Sequence, residues 1–258
     1  MEGLLTELVG LVSTLRGEHG CPWDKKQTME GFRTFLVEEV YELIDAIDKK
    51  EYESIRGELG DLLFHIVFIA RICEERNLFC MAEVLSEIIA KMRKRHPHVF
   101  GPNEDRSGSV EQRWEQIKKE EDKDYSPLSG VPSILPALSR AYLISRRAAK
   151  LGFDWDSIEA VYGKLEEELA ELKEAQTSGG PKHIEEEIGD ILFTVVNLSR
   201  FHKIDPEAAL RGTIDKFIRR FAYIEQATNV ETSDMKTMDA LWDEAKKKEK
   251  KGPEGPFG

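Results

Sequence analysis

The stretch GELGDLLF (residues 57–64) returns almost unchanged as EEIGDILF (residues 186–193). Each sets a Glu and an Asp three residues apart against an apolar run. The pairs are Glu58 with Asp61 and Glu187 with Asp190, 129 residues apart. The same offset relates LVEEVYEL (36–43) to LEEELAEL (165–172). Further along, KMRKR (91–95) resembles KFIRR (216–220), and RWEQIKKEE (113–121) resembles LWDEAKKKE (241–249). CPWDKKQT (21–28) has a looser counterpart in GFDWDSIE (152–159). Order and approximate spacing persist through every block, so the chain reads as two copies of one unit.

The unit is helical. Phe32, Leu36, Val40, Leu43 and Ile47 recur at spacings of three and four, which predicts a helix over 28–49. Similar patterns predict helices over 52–76, 79–95 and 109–123, then over 136–150, 157–176, 181–202, 206–227 and 233–250. No stretch alternates at period two between turn signals, so the fold class is all-α, a tandem repeat of two helical bundles. The window DYSPLSGVPSILPA (124–137) holds three prolines and a glycine and reads as a linker, at about 125–136. The expected domains are 1–125 and 126–258, with a frayed tail at KGPEGPFG.

With 258 residues the chain is long enough for two cores. Lys and Arg total 37 against 49 Asp and Glu, a net charge of −12, which argues against nucleic acid or an anionic membrane as partner. Anionic substrates stay open, because a bound divalent cation reverses the local sign. Cys21, Cys73 and Cys80 form no C-x-x-C pair and suit reduced thiols in a cytoplasmic protein. No early positive charge suggests a signal peptide, and LLFHIVFIA is too short to span a bilayer.

Helical periodicity puts Glu38, Glu39 and Glu42 together on one side of the first predicted helix, away from its apolar stripe. On the next helix Glu58 and Asp61 share a face. A short polar turn near DKKEYES makes the two helices antiparallel, so the acidic groups can converge. The apolar run after Asp61 leads us to expect a largely buried helix. Clustered carboxylates are tolerable as a solvated face, or when hard cations such as Mg²⁺ or Mn²⁺ neutralise them. Repetition at identical spacing favours the metal. A di-iron bundle would require Glu-x-x-His, and none of the six histidines has a Glu three residues before it.

VEEVYELIDAI followed by RGELGDLLFHIVF resembles the E-E-x-x-E … E-x-x-D signature of the MazG nucleoside triphosphate pyrophosphohydrolases, of the all-α NTP pyrophosphatase superfamily. GCPWDKKQT, RKRHPHVF and RWEQIKKEE resemble its two-domain members, and the likeness covers nearly the whole chain. The resemblance implies Mg²⁺-dependent hydrolysis of a nucleoside triphosphate to nucleoside monophosphate and pyrophosphate, with a broad base range, clearing non-canonical or excess nucleotides. It implies Glu39, Glu42, Glu58 and Asp61 as metal ligands in the first unit and Glu168, Glu171, Glu187 and Asp190 in the second. Glu38 and Glu167 would hold a further metal or orient the attacking water. It also implies a homodimer. Relatives acting on dUTP, dCTP, phosphoribosyl-ATP or pyrophosphate, and a non-enzymatic scaffold, remain the alternatives.

A triphosphate calls for cationic donors. Candidates are Lys91 and Arg95, then Lys216, Arg219 and Arg220. Trp114 with Lys118, and Trp242 with Lys246, could stack a base and touch a phosphate, or serve as ordinary core and surface. Asn197 lies two turns after Asp190, where the first unit has Phe68; a buried amide there could contact sugar or base, which would make the second unit the main hydrolytic site. His65, matched by Thr194, reads as a satisfied core histidine, and His96 and His98 as structural. Trp23 and Asp24 read as a hydrophobic plug and a helix or turn cap.

Overall fold

A computed structural model describes residues 2–101, 114, 117, 120 and 126–251. The chain divides into two compact units, Met1–Lys123 and Asp124–Gly258. No strand occurs among the described residues.

The first unit contains α1 (Glu2–Arg16), α2 (Pro22–Lys26), α3 (Met29–Lys49), α4 (Tyr52–Glu75), α5 (Met81–Arg95) and α6 (Pro97–Phe100). The second contains α7 (Ala137–Ala149), α8 (Ile158–Ser178), α9 (Pro181–Phe201), α10 (Pro206–Ala227) and α11 (Met235–Lys251). The long helices start where the chemistry of their caps requires. Thr28 Oγ1 accepts from the Gly31 N–H at 3.2 Å, Ser157 Oγ from Ala160 at 3.3 Å, and Asp205 from Glu207 and Ala208 ahead of Pro206. At Cys80 the backbone N–H donates to Glu83 Oε2 at 2.8 Å. The helix expected over 109–123 falls mostly outside the described residues; Trp114, Ile117 and Glu120 are helical.

Helix α1 is not among the elements expected from the sequence, although Leu5, Leu8 and Val12 recur at helical spacing. It packs on α4 and completes a core of Val12, Phe32, Val67, Phe68 and Ile72. Phe32 and Phe68 stack at 4.2 Å with ring planes 16° apart. In the second unit α7 and α8 both pack on α9. Its buried apolar residues are smaller, Val161, Ala175, Val196, Ile224 and Ala245, and they share the interior with Glu168, Glu187, Thr194, Asn197 and Ser145.

Four expectations are corrected. Helix α4 buries only one side: Val67, Phe68, Ala70, Ile72 and Cys73 are inside, while Leu59, Leu63 and Ile66 are exposed, because the helix carries more apolar side chains than α1 and α3 cover. The stripe on α3 is likewise partial, with Phe32 buried and Val40 and Ile47 exposed. Trp23 is 56% exposed, so it plugs nothing, although its ring sits 6.1 Å from that of Phe35. Asp24 lies buried within α2, whose cap position is taken by Cys21.

Arg16 fastens the first unit. Its Nε and Nη2 donate to Glu75 at 3.0 and 2.7 Å, and Nη1 donates to the carbonyls of Asp24 and Gln27 at 2.6 and 3.3 Å. The guanidinium lies 5.1 Å from the centre of the Phe68 ring. One side chain thus ties the end of α1 to α2 and to the end of α4. Arg16→Met should cost the first unit about 1–2 kcal/mol at neutral pH, since it removes the charge-assisted bonds to Glu75, which keeps Arg71 at 3.2 Å, and the bonds to the Asp24 and Gln27 carbonyls. Glu75 is held below the usual carboxylate range, first by the Arg16 hydrogen bond. Its contribution is therefore present above the unfolded value of about 4.3 and lost as pH falls through the depressed folded value. Urea unfolding of mutant and wild type should converge in acid; a gap unchanged below about pH 3 would assign the effect to packing on Phe68 instead.

Candidate metal centres

The α3–α4 hairpin turns through Lys50 and Glu51. Lys50 adopts the left-handed conformation (φ 59°), and its N–H closes on the Ala46 and Ile47 carbonyls. So short a turn makes the helices antiparallel, and Glu39 on α3 meets Glu58 and Asp61 on α4. One oxygen from each of these three lies within 4.8 Å of the others. Burial pushes the Glu39 carboxyl above its ordinary range, and the charges of Asp61, Glu42, Glu58 and Glu38 push it further. Glu42 is raised in the same way, by desolvation and then by Glu58, Glu38 and Asp61. Glu38 stands exposed. An open cleft beside the cluster is lined by Tyr41, Glu42, Asp45, Glu51, Ser54 and Glu58.

His65 reaches the same place from α4. Its ring is edge-on to Phe32 at 5.2 Å, as a core histidine should be. It is not satisfied, however: Nδ1 is buried without a hydrogen-bond partner, 3.9 Å from Glu39 Oε1. Desolvation lowers its pKa.

In the second unit Gly179 and Gly180 join α8 to α9. Glu168, Glu171 and Glu187 bring one oxygen each within 4.8 Å of one another. The trio takes Glu171 where the first unit takes Asp61; Asp190 is exposed on the next turn of α9. Glu168 and Glu187 are buried, and Glu187 Oε2 has no hydrogen-bond partner. Glu187 Oε2 is thus a buried carboxylate oxygen without a partner on a residue grouped with two further carboxylates, a kind of donor that suits a hard divalent cation. Glu171 is raised above the ordinary carboxylate range by desolvation and then by Glu168 and Glu187.

Two residues of this second cluster escaped the sequence reading. Lys164 Nζ lies 2.7 Å from Glu167 Oε1 and 2.8 Å from Glu168 Oε1, and those hydrogen bonds raise its pKa. His183 Nε2 lies 3.0 Å from Glu187 Oε1. Both stand three or four residues before their partners, so helical spacing could have found them.

The basic and aromatic candidates sit on other helices. The Arg95 guanidinium lies 5.1 Å from the Trp114 ring centre, and His96 meets the same ring edge-on at 5.3 Å. The repeat-related pair is Arg220 over Trp242 at 5.5 Å, with Phe217 packed on the indole at 5.2 Å. Arg220 also pairs with Glu249 at 2.7 Å and Arg219 with the same residue at 3.6 Å. Lys91 pairs with Glu87 and Lys246 with Asp243, while Lys216 is exposed. His96 Nδ1 lies 2.7 Å from the Met92 carbonyl. Lys118 lies outside the described residues. Asn197 is buried, as expected, but its amide is engaged: Nδ2 donates to the Phe193 carbonyl at 3.0 Å and Oδ1 accepts from Arg200 Nε at 3.2 Å. Arg200 in turn grips Asp154. Asn197 therefore also braces the Arg200–Asp154 ion pair.

Fold and geometry together define a tandem all-α protein with one carboxylate cluster per unit. The MazG nucleotide pyrophosphohydrolase domain matches residues 27–100 and 156–224, and the chain belongs to the MazG family. It is 44% identical over 250 residues to the nucleoside triphosphate pyrophosphohydrolase/pyrophosphatase MazG of Thermotoga maritima, covering 94% of this chain and 96% of that one. It is 39% identical over 257 residues to the nucleoside triphosphate pyrophosphohydrolase of Escherichia coli, covering 95% and 98%. A crystal structure of a mazG-related protein from Thermotoga maritima aligns over 45% of this chain and 98% of its own, at 23% identity and a TM-score of 0.39.

The crowding of the first cluster has a measurable consequence. Glu39 titrates above its unfolded value, so the stability it allows is present below the unfolded pKa and lost as pH rises through the raised one. Metal-free Glu39→Gln should therefore melt above wild type at about pH 7.5, and the gap should close near pH ~4. Scanning calorimetry in a chelator tests this; equal melting throughout would mean that the carboxylates do not repel one another.

Proposed function

We propose that the chain hydrolyses nucleoside triphosphates to nucleoside monophosphate and pyrophosphate, with Mg²⁺ as cofactor and Mn²⁺ as its substitute. The observation that carries the metal requirement is the buried, unpartnered Glu187 Oε2, on a residue grouped with Glu168 and Glu171. The names of the full-length relatives support the reaction. Glu39, Glu58 and Asp61 would hold metal in the first unit, with Glu42 beside them. Glu168, Glu171 and Glu187 would do so in the second, with Asp190 one turn on. When bound, Mg²⁺ neutralises phosphate charge and favours ionisation of water.

The chain's own residues do the rest. Glu38, exposed beside Glu39, orients the attacking water. Glu167 has the corresponding position but is tied to Lys164. Lys91 and Arg95, and Lys216, Arg219 and Lys246, bind phosphate oxygens. Arg220 steadies the Trp242 ring. Trp114 and Trp242 offer π faces, and stacking of that kind tolerates every base, which supports a broad base range and a role in clearing unwanted nucleotides.

Leu59, Leu63 and Ile66 on α4, and the repeat-related Ile188, Leu192 and Val195 on α9, are exposed. These faces support a homodimer. Three free thiols, and the lack of any helix long and apolar enough to cross a membrane among the described residues, agree with a cytoplasmic protein.

The clustered carboxylates suit direct attack by water, with no covalent enzyme intermediate. Monophosphate and pyrophosphate should appear in equal amounts from the earliest times, only with Mg²⁺ present. Glu39→Gln combined with Glu168→Gln should lower turnover to background and remove the thermal stabilisation by Mg²⁺. Wild-type activity in the double mutant, or diphosphate with free phosphate as products, would overturn the assignment.

A further inference from the structure

The two carboxylate clusters do not carry the same charge. In the second, the Lys164 ammonium touches Glu168 at 2.8 Å and Glu167 at 2.7 Å. The Glu168 side chain is only 5% exposed, so this is no ordinary solvated surface pair. The repeat-related position in the first unit is Phe35, which packs beside Trp23 and Phe32 and brings no charge. Glu187 also has His183 at 3.0 Å, where the first unit has Ser54. In the first cluster the basic group facing Glu39 is His65, at 3.9 Å and with Nδ1 unpartnered.

We infer that Lys164 is a built-in counter-ion of the second centre: it stands in for a cation on Glu168 and Glu167, makes this centre bind divalent metal more weakly than the first, and must leave Glu168 when metal binds. The inference rests on the metal reading above. A divalent ion entering the second centre has to displace two charge-assisted hydrogen bonds and oppose a like charge a few ångströms away. Among the described residues, the basic group beside Glu39, Glu58 and Asp61 is the His65 imidazole, 3.9 Å from Glu39 and without an ammonium's fixed charge. The Lys164 side chain is 35% exposed, so its ammonium can swing into solvent without opening the unit. The second centre is thereby held together before metal arrives, and is loaded second.

The test is a Mn²⁺ titration of the full chain, with free Mn²⁺ followed by electron paramagnetic resonance and heats by calorimetry. Two classes of site are expected, the tighter lost in Glu39→Gln and the weaker in Glu187→Gln. Lys164→Met should tighten the weaker class roughly tenfold or more and leave the tighter one unchanged. Lys164→Arg keeps the charge and should keep the weaker class weak. Helical circular dichroism confirms that each variant is folded. The inference is overturned if Lys164→Met leaves the weaker class unchanged or weakens it further, or if the tighter class disappears in Glu187→Gln. Absence of saturable binding at either centre is a separate result, which removes the metal reading itself and the inference with it.

Discussion

Every functional feature of this chain depends on holding like charges together by force. In each unit two antiparallel helices bring three carboxylate oxygens within 4.8 Å. At neutral pH the carboxylates would spread apart in a free peptide. They stay because the opposite sides of the same helices are committed to a core. Phe32 on α3 and Phe68 on α4 stack in the first unit, and Val161 on α8 and Val196 on α9 are buried in the second. Burial of large apolar groups contributes about 1.5–3 kcal/mol each, enough in sum to outweigh partly solvated repulsion. The clusters are thus held together by packing on the other faces of their helices.

The two units solve the same problem with different materials. The first is built around aromatic rings, closed by Arg16 on Glu75. The second has small aliphatic residues and admits polar groups, with Asn197 and Arg200 locked to Asp154. Where Phe68 supplies bulk in one unit, Asn197 supplies hydrogen bonds in the other. Repeat-related positions have therefore exchanged apolar contact for directional bonding while the carboxylate scaffold stayed in register.

Much of this is legible in the sequence. The 129-residue offset, the helical spacing and the short polar turn suffice to place Glu39 opposite Glu58 and Asp61. Periodicity reports which residues share a face, but not which neighbour covers that face. For that reason α4 reads as more buried than it is. The amide of Asn197 was visible as a buried polar group, but its partners, the Phe193 carbonyl and Arg200, emerge only from three-dimensional packing. Lys164 was within reach, since its four-residue spacing to Glu168 is a plain helical signal. Whether Glu171 or Asp190 completes the second trio depends on side-chain reach, which no spacing rule resolves.

The segments of the first core have a consequence for how the chain is made. Val12, Phe32, Val67, Phe68 and Ile72, together with the flanking Met81, all belong to the leading third of the polypeptide. The partly buried residues packed against them, Leu5, Leu8, Val9, Met29, Phe35, Phe64 and Ile69, lie in the same stretch. As the chain leaves the ribosome at about 5–20 residues per second, this core can close within seconds of Met81 emerging, while most of the second unit is still untranslated. The two near-identical hairpins are thereby separated in time. A sequence that repeats itself runs the hazard of pairing a helix with the wrong copy; here the first α3–α4 hairpin is already occupied when its double appears.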